Sequence, residues 1–275
     1  MLAVLRDTRK SLNLTQDEVA EALDWSKSKL LRIEQGKIGL ATTDLKALLL
    51  HYGITDRERV DNYVAIVKAG RQRAWWDDYR HTNSPDFVKF LGLETAARVM
   101  RQYQFHMLPG LLQTPAYTES LVRAGGGSEE LVQRQIGLRQ ARQQRLENKD
   151  QQHHFIVDES VLHRRVTDPR NWLEQLQHLA DVAARPSVTL QVLTFKAGWV
   201  EGMQSSFVVL ELSDEPNDLF LAIERPDGDE FFDDVTGAEK AVDFLKIFDR
   251  LGAAASPAED TARLIEDAIA RVEAS

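Results

Sequence analysis

Lys27, Ser28, Leu31 and Arg32 stand so close in sequence that, at 3.6 residues per turn, they share about 140° of one helical face. Their chemistry suits the edges of base pairs. Arg32 can fork onto guanine O6 and N7, Lys27 reaches the same acceptors or a phosphate, Ser28 serves either base edge, and Leu31 matches a thymine methyl. Around them stand residues fitted to the phosphate backbone. Gln16, at a helix start, offers an N–H and an amide to a phosphate, and Thr15, Lys29, Lys37, Arg9 and Lys10 are the further backbone candidates. The competing reading is a helical hairpin with a solvated polar face.

The flanking residues predict how that face is held. Thr15 and Glu18 form a capping box with Leu14 and Val19 as its hydrophobic staple, so a helix opens at Gln16. Ser26 caps a second helix, with Trp25 packing on Leu30 and Lys29 in the box position. The turn between them falls at Asp24-Trp25, where a positive φ is needed and Asp tolerates it. Ala20 allows close approach, and Val19, Leu23, Leu30 and Ile33 supply the apolar faces. Upstream, 2–12 reads as a helix with Leu2, Leu5 and Leu12 inward and Arg6, Arg9 and Lys10 outward. Downstream, Thr42 or Thr43 caps a helix ended by Gly53, and Thr55-x-x-Glu58 opens a fifth with Val60, Tyr63, Val64 and Val67 on one side.

The run TQDEVAEALDWSKSKLLRIEQGKIG resembles the Xre-type, phage-repressor-like helix-turn-helix domains. With RAWWDDY, LPGLLQTPAYTESLV, RQARQQRL and VDESVLHRRV, the chain is similar to large actinobacterial regulators that join such a domain to a toxin–antitoxin-like C-terminal domain. It departs from that pattern at Asp24, where a turn glycine is usual, and at Lys27, where proline is common. The resemblance implies a transcriptional regulator on double-stranded DNA whose C-terminal part engages a small partner protein that alters DNA occupancy. A small-molecule ligand is the second possibility there, with LPGLLQTPAY lining an apolar pocket. The alternative function is an antitoxin-like interaction module. Domains of this size work as pairs, which predicts a homodimer on half-sites about 34 Å apart.

At 275 residues the chain has room for two domains. The expected division is a DNA-binding domain at 1–70, an aromatic hinge at 71–82 in which Trp75, Trp76 and Tyr79 seal the junction, and a regulatory domain at 83–275. With no cysteine, disulfides and thiolate metal sites are excluded. No apolar run approaches the roughly 20 residues of a membrane span and no secretory signal is evident, so no membrane contact and a cytoplasmic location are expected. The net charge of −9 is unevenly spread, for residues 1–70 hold 11 Lys/Arg against 10 Asp/Glu and the remainder carries the acidity. The candidate reader is thus spared most of the repulsion from phosphates.

The fold class expected is mainly α with an α+β C-terminal part, a five-helix DNA-binding domain followed by helices around a small sheet. Helices are predicted from Ser84-Pro85, over 93–101, from Thr114-Pro115, and over 129–147, 170–184, 237–251 and 256–272. Strands are predicted only after Asp150, at 153–157, 162–166, 187–194, 205–212 and 218–223. The Arg- and Gln-rich 129–147 segment reads as a solvated amphipathic helix. His153, His154, His163 and His178 lack zinc-motif spacing, and the acidic cluster of Asp227, Asp229, Glu230, Asp233 and Asp234 lacks the EF-hand order. Asp158-Glu159 beside Arg164 and Arg165 reads as a structural ion pair. No nucleophile elbow, Walker loop or dinucleotide fingerprint occurs, and no enzyme activity, cofactor or metal is assigned.

Overall fold

The computed structural model describes residues 2–34, 39–57, 59–61, 63–64, 75–214, 218–225, 228–233 and 237–274, which fall into two units, Met1–Asp77 and Asp78–Ser275. In the first unit the described residues form α1 (Leu2–Ser11), α2 (Gln16–Ala22), α3 (Lys27–Glu34), α4 (Thr42–His51) and α5, which lies between 57 and 64. The start of α2 is the box its sequence dictates: Thr15 Oγ1 accepts from the Glu18 N–H at 3.2 Å and Glu18 Oε2 from the Thr15 N–H at 2.8 Å. The bond from that backbone N–H, then that from the hydroxyl, holds the Glu18 carboxyl below the usual range. Ser26 Oγ accepts from the Lys29 N–H at 3.2 Å to open α3. Between the helices Asp24 takes φ 55°, the left-handed conformation its short polar side chain tolerates. Leu5, Val19, Leu30, Ile33, Leu45 and Leu48 form the core, with Leu14, Leu23 and Trp25 packed at its edge.

Three local expectations are corrected here. Leu12 is 45% exposed, because α1 ends at Ser11 and Asn13, at φ 55°, turns the chain so that Leu14 packs on the core instead. The N-cap of α4 is Ala41, with no side-chain bond, so neither Thr42 nor Thr43 caps it. Asp56, not Thr55, opens α5, its Oδ1 accepting from the Arg59 N–H at 2.9 Å. Glu58 and Val67 lie outside the described residues.

The second unit is built on a six-stranded mixed sheet of β1 (Val99–Gln104), β2 (Gln152–Asp158), β3 (Val188–Leu193), β4 (Phe207–Glu211), β5 (Leu219–Ile223) and β6 (Glu230–Phe232). The order is β3-β2-β1-β4-β5-β6, parallel from β3 to β1 and antiparallel beyond. Its helices are α6 (Pro85–Ala96), α7 (Pro115–Ala124), α8 (Glu129–Gln143), α9 (Pro169–Ala183), α10 (Ala238–Ala254) and α11 (Thr261–Glu273). Side chains alternate between the two faces of a strand. Tyr103, Phe207, Val209 and Leu221 therefore join Phe248 and Leu251 of α10 in an apolar core. The opposite face carries Gln102, Gln104, Val208 and Ala222, and shares a cavity with residues of α6 and α8.

The fold class is the one expected, but β1 is not where strand signals were read. Residues 93–101 do not form a separate helix: α6 ends at Ala96, and 99–104 is a central strand paired with β2 and β4. The sheet's pairing overrides a sequence with little alternation of apolar and polar residues. The strand expected at 162–166 is also absent. Asp158 Oδ1 instead accepts from the Ser160 N–H at 2.9 Å and starts a 3₁₀ turn over Glu159–Leu162. Strand β6 was not anticipated.

Candidate nucleic-acid interface

The α2–turn–α3 unit separates its residues sharply. Leu30 and Ile33 of α3 are 0% and 2% exposed, whereas Lys27, Ser28, Leu31 and Arg32 all face solvent. The exposed side is thus a single surface of two cations, a hydroxyl and an apolar tip. Lys27 Nζ lies 2.7 Å from Asp17 Oδ2, and the Arg32 Nε–H bonds the Ser28 carbonyl at 3.1 Å. Both are exposed contacts of little stability, readily exchanged for a base or a phosphate.

The expected backbone contacts fare differently. Arg9 does not face outward. It is 8% exposed, with Nε and Nη2 donating to Glu34 at 2.7 and 3.0 Å and Nη1 to the Leu14 carbonyl at 2.8 Å. An arginine buried with a carboxylate partner gains more there than on a phosphate it would have to leave the core to reach. Gln16 Nε2 is likewise committed to Glu34 Oε2 at 2.7 Å, which leaves its helix-start N–H as the group free to face an anion. Lys29 Nζ is 3.0 Å from Asp44 and 4.0 Å from the centre of the Trp25 ring, so it ties α3 to α4. Thr15 is exposed but spends its hydroxyl on the capping box, and Lys10 is exposed. Lys37 lies outside the described residues.

Glu34 is the residue that sequence reasoning missed. Burial opposes its ionisation, yet the bonds from Arg9 and Gln16 outweigh that cost and hold its carboxyl below the usual range. Its location at the end of α3, opposite basic residues of α1, was the available signal.

A family model described as Helix-turn-helix domain matches residues 1–61, the region that forms this face. A second, described as Domain of unknown function (DUF5753), matches residues 87–267, well over half of the chain. The chain belongs to the DUF5753 family. With its helix-turn-helix domain it is a DNA-binding regulator. No curated protein and no solved structure matches it.

Burial pushes the His153 imidazole down to about 4 and also lowers His154 and His178. Among the described residues no group of His, Cys, Asp or Glu is placed to hold a metal. Asp233 pairs with Lys89 and Glu230 with Arg225, while Asp227 and Asp234 lie outside the described residues. Glu159 bonds the Phe195 N–H at 2.7 Å and His163 at 3.3 Å, rather than Arg164 or Arg165. The LPGLLQTPAY segment is a scaffold of buried hydrogen bonds. Gln113 donates to the Leu108 carbonyl at 2.7 Å, Tyr117 Oη accepts from the Leu108 N–H at 3.1 Å, and Gln175 brackets Leu112 and Thr114.

Proposed function

We propose that this chain is a sequence-specific transcriptional regulator of the Xre type that reads base edges with Lys27, Ser28, Leu31 and Arg32. The observation that carries the reading is the division of α3, with Leu30 and Ile33 buried and the four polar or protruding residues exposed. Backbone contacts come from Lys10, Lys37 and the N-terminal N–H groups of α2 at Gln16, where the helix dipole favours a phosphate. The protein acts in the cytoplasm as a homodimer on half-sites about 34 Å apart, because one short reading helix gives too little affinity alone. The domain assignment goes with this: a reader at 1–70, an aromatic hinge at 71–82 and a regulatory domain at 83–275, to which a ligand or partner binds and shifts operator affinity. Binding-site selection on wild type and Arg32→Ala tests it. The variant is expected to relax preference at one position and lose about 1–3 kcal/mol. An unchanged preference would assign the reading face elsewhere.

A second reading, an antitoxin-like module acting mainly on a small partner protein, is favoured by Phe195 and Trp199, which are 62% and 73% exposed. Exposed aromatics of this size are typical interface anchors. Pull-down of bound proteins from cells expressing the wild type or Trp199→Ala separates the two. Equal recovery with both would remove this support.

A further inference from the structure

The sheet face opposite α10 carries buried polar groups without partners. Gln102 and Gln104, alternate residues of central β1, are 4% and 2% exposed, and among the described residues the Oε1 of each has no hydrogen-bond partner. A buried acceptor left unpaired costs roughly 1–3 kcal/mol, so two side by side call for a donor from outside the chain. Both line a cavity of about 220 Å³ between this face, α6 and α8. Arg139 from α8 and Glu224 from beyond the end of β5 line the same space.

These two charges feel each other without meeting. Glu224 accepts from Gln104 Nε2, and Arg139 gives Nε to Gln113 Oε1 at 2.8 Å and Nη1 to Gln135 Oε1 at 2.6 Å. Among the described residues Arg139 Nη2 makes no hydrogen bond and no ion pair joins it to Glu224, although each shifts the other's proton affinity. Burial, the largest influence, pushes Arg139 down to about 10 and raises the Glu224 carboxyl. The neighbouring Arg142 is already satisfied by Glu94, at 2.6 and 3.0 Å, so it adds no free charge. The LPGLLQTPAY scaffold maintains this arrangement. Gln113 orients Arg139, and a Cβ on Gly110 would lie 3.3 Å from Arg142 Nη1 and 3.8 Å from Arg139 Nε. The pocket therefore joins these polar and charged groups to an apolar wall of Phe87, Phe90, Leu108, Val208 and Phe231. It widens to solvent at Asp229, which lines two adjoining clefts.

The inventory defines a ligand. The polar lining of the cavity offers as acceptors the Gln102 and Gln104 oxygens and the carboxylates of Glu224 and Asp229, and as donors the Gln102 amide and the spare nitrogen of the Arg139 guanidinium. A lone anion would face Glu224 and Asp229, and a lone amine would leave the spare Arg139 donor without an acceptor. As one interpretation of the ligand-responsive regulator proposed above, we propose that this cavity binds a free α-amino acid, its ammonium on Glu224 and the Gln102 and Gln104 oxygens and its carboxylate on Arg139. At about 30 Å³ per water the space holds roughly seven waters, room for a medium-sized amino acid.

Calorimetric titration of the full chain with each of the twenty protein amino acids, and with agmatine, succinate and calcium chloride, tests the assignment. At least one amino acid is expected to bind saturably at one per chain. Agmatine and succinate, each lacking one of the two charges, bind at least tenfold more weakly, and calcium does not bind. Glu224→Gln, which keeps the shape, and Arg139→Met each lose at least tenfold in affinity, with thermal melting confirming that the variants fold. The proposal is overturned if none of the twenty binds, or if Glu224→Gln binds as wild type does. Site selection on the same preparation keeps the two readings apart. Protein that enriches a DNA sequence but binds no amino acid retains only the regulator reading, and protein that binds an amino acid but enriches no DNA retains only the cavity.

Discussion

Arg9 of α1 grips Glu34 of α3 with two parallel bonds, 2.7 and 3.0 Å long, and both side chains are at most 10% exposed. Because Gln16 of α2 donates to the same carboxylate, α1, α2 and α3 are fixed to one another through a single carboxylate. Arg9→Met leaves that carboxylate buried without its cation, a change that costs about 3–5 kcal/mol. Urea denaturation, followed by hydrogen exchange in 2–34, is expected to record a loss of that size. A loss under about 1 kcal/mol would mean that the pair is solvated rather than buried.

The same carboxylate makes the first unit acid-sensitive. The Glu34 pKa is lower in the folded chain than unfolded, so its contribution is complete above about pH 4.3 and is lost as pH falls through the folded value. Exchange protection across 16–34, corrected for intrinsic rates, should decline in that acid range. Glu34→Gln should be less stable at neutral pH but should lose less on acidification. An equal decline in both proteins would place the sensitive group elsewhere.

Asp17 sets a limit on affinity for DNA. Its carboxylate is exposed and holds Lys27 Nζ at 2.7 Å, at the edge of the proposed base-reading surface. Removing one such charge about 4 Å from a phosphate in water is worth about 1 kcal/mol, roughly a fivefold gain. Asp17→Asn is therefore expected to bind DNA about fivefold more tightly at low salt, with the advantage shrinking as salt rises. Fluorescence anisotropy over a salt series measures this directly. Weaker binding by the variant would show that Asp17 orients Lys27 productively.

What could be read in the sequence was what depends on neighbours in the chain. Thr15 with Glu18, Ser26 with Lys29, and the left-handed Asp24 are interactions across one turn, and local chemistry identifies them. Arg9 was misread because its partner lies 25 residues away, and nothing local distinguishes a buried arginine from a solvated one. Strand β1 escaped for a related reason. Its alternation fails at Met100 and Arg101, and Gln102 and Gln104 give a polar character to a face that is nevertheless covered, because they line a cavity there. In α8, Arg139 and Arg142 suggested a solvated face, and only Gln113 and Glu94, 26 and 48 positions earlier, reveal that they point inward.

The Glu94–Arg142 pair should support the second unit as Arg9–Glu34 supports the first. Glu94 is 0% exposed on the inner side of α6, and the Arg142 guanidinium also lies 5.7 Å from the centre of the Phe90 ring. Arg142→Met is expected to cost about 3–5 kcal/mol by stranding the carboxylate, whereas Glu94→Gln combined with Arg142→Met should recover part of that loss. Denaturation of the two variants in parallel measures the coupling. If the double variant is no more stable than the single one, Glu94 has other cationic support, for which Arg145 at 3.8 Å is the nearest source.

The turn before α3 offers a sharper test, since it depends on backbone conformation rather than on a contact. Asp24 holds φ 55°, and the Trp25 N–H bonds the Ala20 carbonyl at 2.8 Å, closing the chain over the end of α2. Left-handed backbone costs an ordinary L-residue roughly 1–2 kcal/mol, less for Asp, and nothing for glycine, whose extra freedom when unfolded costs about 0.5–1 kcal/mol. Asp24→Gly should therefore leave stability within about 0.5 kcal/mol of wild type, because the relieved strain offsets the added entropy. Asp24→Val, β-branched and without a polar side chain to bond locally, should lose about 2 kcal/mol and weaken DNA binding through misplacement of α3. Thermal melts and anisotropy on the three proteins decide it. Valine tolerated as well as glycine would mean that the chain does not pass through the left-handed region at Asp24, and the spacing of α2 and α3 would need another explanation.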